Sequence, residues 1–148
     1  MRLPFALLAA CTLAAPAMAQ DDGGTDGSSI PDVTRDLPLE GDSLKALFQD
    51  KTHRGYYEYL SKPDGEFAFT ERMNADGTTL HTRDGEDSVG RWAAMSNVVC
   101  FRYADMNGGC FNMYQQGNCF YAFSVESQQF IAVMVYDGET PDCEPPLV

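Results

Sequence analysis

Imidazole and carboxyl groups are the side chains of this chain best suited to moving protons, and they are unevenly supplied: His53 and His81 stand against 22 acidic residues. A general base needs a partner within hydrogen-bond reach to orient it. By sequence His53 falls beside Arg54 at a helix–strand junction and His81 within a polar strand, so both read as surface residues. Glu86-Asp87, or Glu58 with Glu71, have the residue types for glycoside hydrolysis, which needs two carboxyls about 5–9 Å apart. Among 22 acidic residues some pair meets that distance by accident. Asp84-Gly85-Glu86-Asp87 offers oxygens to calcium but lacks the ligand spacing of a calcium loop, and reads as a solvated turn. Gly-x-Ser-x-Gly, His-Glu-x-x-His and phosphate-cradling glycine loops are all missing from the sequence. No catalytic, cofactor-binding or metal-binding residue is therefore assigned, and no cofactor is expected.

Sulfur is better placed to do chemistry. Beyond Cys11, the chain holds Cys100, Cys110, Cys119 and Cys143, an even number with no Cys-x-x-Cys pair and with both histidines far upstream. That pattern favours disulfides over zinc. Four cysteines allow three connectivities. The runs around Cys100 and Cys110 flank the turn Asp105-Met106-Asn107-Gly108-Gly109, and paired strands lie ~4.8 Å apart, within disulfide reach. Cys100–Cys110 and Cys119–Cys143 are the favoured pairs, the second tying down a Pro-rich tail.

Aromatic side chains are the remaining candidates, as a binding surface. Tyr56, Tyr57, Tyr59, Tyr103, Tyr114 and Tyr121 sit in runs read as strands. Neighbours on a strand face opposite ways, so some of these rings can project outward to a ligand. Aromatics also favour sheets because they pack well there, and core packing is the first expectation.

The elements that must position these groups are punctuated by turns. Asp42 or Ser43 can cap a short helix ending near Lys51, with Leu44, Leu47 and Phe48 on one face. From Gly55 the pattern changes to short aromatic and β-branched runs separated by Gly, Asp and Asn. They are Gly55–Leu60, Glu66–Met73, Thr78–Arg83, Val89–Met95, Val98–Tyr103, Cys110–Tyr114, Cys119–Val125 and Phe130–Tyr136. Within the second, Phe67 and Phe69 are expected on one face. The last run is apolar on both faces and should be covered on both, by the sheet interior and by the helix or a second sheet. The chain is thus expected to be mainly β: an antiparallel meander of about seven to eight strands, closed as a small barrel or sandwich, with one short N-terminal helix.

The N-terminus reads as an export signal. Met1-Arg2 precedes an apolar run from Leu3 to Ala15, and Ala17 and Ala19 supply the small residues of a cleavage site before Gln20. The run is shorter than the ~20 residues that span a bilayer. A rival lies in Leu8-Ala9-Ala10-Cys11, a lipoprotein-like box that leaves only ten residues ahead of the cysteine. Residues 20–41 form an acidic, Gly/Ser-rich leader too polar to bury a core, and 42–148 one β-rich domain. Periplasm or external medium is the expected location. The formal charge is −12, and cleavage would remove Arg2 and make it one unit more negative. Such a charge repels nucleic acid and anionic lipid heads, and the sequence predicts no stable membrane insertion. A cationic protein or a small ligand is the better partner.

Gly90-Arg91-Trp92 resembles the Gly-x-Trp of lipocalins, but that motif sits on their first strand, whereas here four strand candidates precede or contain it and 56 residues follow. Trp92 is expected in the core with its indole N–H on a backbone carbonyl. A looser order is Thr52-x-x-Gly55, Pro63-Asp64-Gly65, Gly90-x-Trp92, Cys100-Phe101 and Cys110-Phe111. It resembles small exported proteobacterial proteins of unknown function over roughly Leu44 to Phe123. The resemblance implies a periplasmic β-rich domain and no activity. The functional expectation is a non-enzymatic envelope binder. Its alternatives are an inhibitor of a cationic enzyme such as lysozyme, for which the Ser-Gly loop of known inhibitors is missing, and a carboxylate-dependent envelope hydrolase.

Overall fold

Short strands with one apolar face must close on that face or stack it against another layer, and this chain closes. The computed structural model describes residues 37–57 and 67–143. The signal sequence, most of the leader, Glu58, Tyr59 and the Pro63-Asp64-Gly65 turn lie outside the described residues. The elements run α1 (Gly41–Phe48), β1 (Lys51–Tyr57), β2 (Phe69–Met73), β3 (Thr78–Arg83), β4 (Glu86–Met95), β5 (Val98–Tyr103), β6 (Gly109–Gln116), β7 (Cys119–Ser124) and β8 (Phe130–Tyr136). Each strand pairs antiparallel with the next, and β1 pairs with β8 to close the barrel. Barrel, not sandwich, is the answer, and closure leaves no sheet edge to protect.

Cross-strand register determines which side chains share the interior. On β1 to β5, His53, Glu71 and His81 lie side by side, as do Thr79 with Gly90, Gly90 with Tyr103, and Trp92 with Phe101. The inner cluster gathers Phe69, Met73, Trp92, Val99, Met113, Phe120 and Met134 with Leu44, Leu47 and Phe48 from α1. As the sequence predicts, the apolar stripe of α1 is core, and the Trp92 indole donates to the carbonyl of Asn74 at 2.9 Å. Its helix is not capped by Asp42 or Ser43. It starts at Gly41, with no side-chain cap at Glu40, and the Gly41 N–H is taken by the Ser96 carbonyl at 2.7 Å. That bond, and one from Leu39 N–H to the Met113 carbonyl, lashes α1 across one end of the barrel.

A second cluster lies on the outside of β6, β7 and β8. Tyr114, Tyr121, Phe123, Phe130, Val133 and Val135 are buried there with Cys119 and Cys143, against Tyr56 and Phe67. The expected double burial of β8 holds. Its outer partner is this cluster, not the N-terminal helix or a second sheet, because α1 packs against β1 and β4 at the barrel end. Phe67 and Phe69 divide between the two clusters: β2 begins only at Phe69, and Phe67 turns outward onto Tyr56. Both favoured disulfides are present, Cys100–Cys110 across the β5–β6 hairpin and Cys119–Cys143 between β7 and the C-terminal segment.

Candidate functional site: the barrel interior

The closed sheet holds an open-mouthed pocket of about 880 Å³, within the range of small-molecule sites. Phe48, itself fully buried, lies beneath it. Phe101, Phe111, Met113, Ala122, Ile131, Ala132 and Met134 form apolar walls, and Tyr57, Glu71, His81 and Tyr103 form a polar one. The β5–β6 loop residues Met106 and Asn107, the β7–β8 residues Val125 and Glu126, and Arg83 line its far end, opposite α1. Small side chains make part of this room. Ala122 and Ala132 face each other across β7 and β8, and a register shift beside Ala122 turns Phe123 and Phe130 to the outer cluster.

Two glycines shape the polar wall. Gly55 is paired with Phe69, and a Cβ there would stand 2.7 Å from the Phe69 ring and 2.3 Å from the Val133 carbonyl oxygen. The bare backbone lets that ring lie across β1 and stack on His81, with centroids 5.3 Å apart. Gly90 does the same for Tyr103, whose ring would meet a Cβ at 2.6 Å. Aromatic rings laid over strand glycines are a recognised packing device, and here they set one ring on His81 and the other on an acid.

That acid is Glu71, buried on β2. A buried carboxylate requires hydrogen-bond donors, and Glu71 has them. Tyr103 donates to Oε1 at 2.8 Å, Thr79 donates to the same oxygen, and Nδ1 of His81 lies 2.6 Å from Oε2. The chain continues, with Nε2 of His81 2.8 Å from the Tyr57 hydroxyl. Burial, followed by the charge of Glu71 and the hydrogen bond to it, holds the Tyr103 phenol far above its ordinary pKa. Tyr103 therefore stays a neutral donor.

The histidines read as surface residues are both interior. His81 is 4% exposed and His53 fully buried. β1 begins at Lys51, ahead of the expected Gly55, so His53 is a barrel residue and not a junction residue. It sits among the rings of Phe48, Phe120 and Tyr136. Neither of its ring nitrogens has a hydrogen-bond partner among the described residues. Burial, then the nearby Lys51 charge, lowers its pKa from 6.5 to about 3.

The candidate tyrosines separate by face. Tyr57 and Tyr103 line the cavity. Tyr56, Tyr114 and Tyr121 belong to the outer cluster, and Tyr59 lies outside the described residues. Of the acid pairs, Glu58 lies outside the described residues, and Glu86-Asp87 is exposed at the start of β4, where Asp87 accepts from Thr82. Among the described residues no group of His, Cys, Asp and Glu is arranged to hold a metal. The Glu71–His81 pair escaped sequence reasoning. The signal for it was the alternation Phe69, Glu71, Met73, which places an acid on an otherwise apolar face. Comparison with protein-family models, curated proteins and solved structures finds no match.

Proposed function

We propose that this protein is an exported binder whose barrel interior receives a small, largely apolar molecule. The observation that carries the proposal is the 880 Å³ chamber, set above Phe48 and walled by aromatic and methionine side chains around one polar cluster. Deep apolar pockets with a few convergent polar groups are what ligand sites look like. Two braced disulfides accord with folding in an oxidising compartment. Arg72, Arg91 and Arg102 are exposed on β2, β4 and β5, while Phe69, Trp92 and Phe101 of the same strands pack in or against the inner cluster. On these three strands the sidedness is the reverse of a lipid-facing apolar band. The chamber supports ligand binding more strongly than acidity alone supports capture of a cationic enzyme.

Titration with 1-aminoanthracene, an apolar dye that brightens away from water, tests the proposal. Saturable enhancement is expected from the wild type, and its loss from Ala132→Trp, which fills the chamber from β8. Equal enhancement by wild type and a folded Ala132→Trp would show the dye bound elsewhere and contradict the reading.

A further inference from the structure

The polar wall has spent its hydrogens on itself. The Tyr103 and Thr79 hydroxyls both donate to Glu71 Oε1. Nδ1 of His81 faces Oε2 of the same carboxyl group at 2.6 Å. The Nε2 of that ring shares a hydrogen bond with the Tyr57 hydroxyl at 2.8 Å, so both imidazole nitrogens are engaged within the wall. Each phenol has one O–H to give. What the wall offers an occupant is therefore the lone pairs of the Tyr103 oxygen, backed by the buried Glu71 carboxyl group.

The far end of the chamber carries one carboxylate, Glu126, and one guanidinium, Arg83, the latter also 6.0 Å over the Tyr57 ring. Arg83 is held 3.4 Å from the Asp84 carboxylate. The faces of Phe69, Phe101 and Phe111 supply the negative side of ring quadrupoles. Against Tyr103 and Glu71 an anionic head group would meet acceptors where it needs donors, and would lose its hydration uncompensated. A cation meets the opposite situation. Resting on the reading of the interior as a ligand chamber, we infer that the barrel selects organic cations: apolar molecules ending in an ammonium group, with that group against Tyr103 and Glu71.

The test is calorimetric titration of the mature chain at neutral pH with decylamine, decanol, decanoate and N-decylacetamide, each below its micellar concentration. The tails are alike and only the heads differ. Decylamine is expected to bind about tenfold or more tighter than decanol and N-decylacetamide, as suits a charge-assisted hydrogen bond, with decanoate weakest. In Glu71→Gln, folded by near-ultraviolet circular dichroism, the amine-over-alcohol preference should fall about tenfold. Decanoate binding as tightly as decylamine, or N-decylacetamide matching the amine, would overturn the cation inference and leave the chamber reading standing. An unchanged preference in folded Glu71→Gln would do the same. The acetamide comparison needs no variant, so it decides the matter even if Glu71→Gln does not fold. Failure of all four probes to bind would overturn both readings.

Discussion

His53 and His81 share one row of the barrel with Glu71 between them, yet they do different things. His81 is oriented at both nitrogens by Glu71 and Tyr57. His53 has no hydrogen-bond partner among the described residues and is held neutral by burial, with Lys51 adding to the effect. The pKa of His53 is about 3 in the fold against 6.5 for the free side chain. Between those values the unfolded chain takes up a proton that the folded one refuses. The His53 contribution to stability is therefore complete above about pH 6.5 and is lost as pH falls toward 3, by on the order of 1 kcal/mol per pH unit. Denaturant unfolding at several pH values should show His53→Leu flattening this slope relative to wild type; parallel slopes would contradict the assignment. The burial of His53 was hard to read because Thr52-His53-Arg54 alternates polar residues without an apolar marker for the inner face. Only the register against Glu71 and Tyr136 reveals which way it points.

At the scale of elements, turn chemistry made the meander legible: Asn74-Ala75-Asp76-Gly77 and Asp84-Gly85 fall between strands as their residue types dictate. Strand starts were less legible, since β1 is fixed by pairing with both β2 and β8 and not by its own propensity. The glycine–aromatic pairs are elements in this sense too, each joining two strands. Gly90→Val should drive the Tyr103 ring off its strand, because a Cβ would meet the Arg102 carbonyl oxygen at 2.5 Å as well. A loss of about 2–3 kcal/mol is expected, in the range of an overpacked core, and a melting temperature unchanged from wild type would refute that packing. Cys119–Cys143 ties β7 to the segment after β8, where the Asn118 amide also donates to the Thr140 carbonyl and accepts from Asp142 N–H. Replacing both cysteines by serine should cost roughly 3 kcal/mol in the chain-entropy picture. Chemical unfolding measures it, and a change under about 1 kcal/mol would mean the tail is held by its hydrogen bonds instead.

For the whole molecule, the sequence narrowed closure to barrel or sandwich and stopped there, since both bury alternate side chains in the same way. The cavity was not legible either. It arises from facing alanines on β7 and β8, two glycines that admit rings, and a helix that floors one end without filling the interior. None of these has a local signature. Together they convert an acidic, disulfide-braced meander into a vessel with one polar wall. Methyl-labelled alanine and methionine spectra, recorded by NMR while decylamine is added, test that account most directly. Saturable shifts centred on Ala122, Ala132, Met113 and Met134, which line the chamber, are the predicted result. Shifts confined to exposed methyls such as Met95, with those four unmoved at saturation, would contradict it.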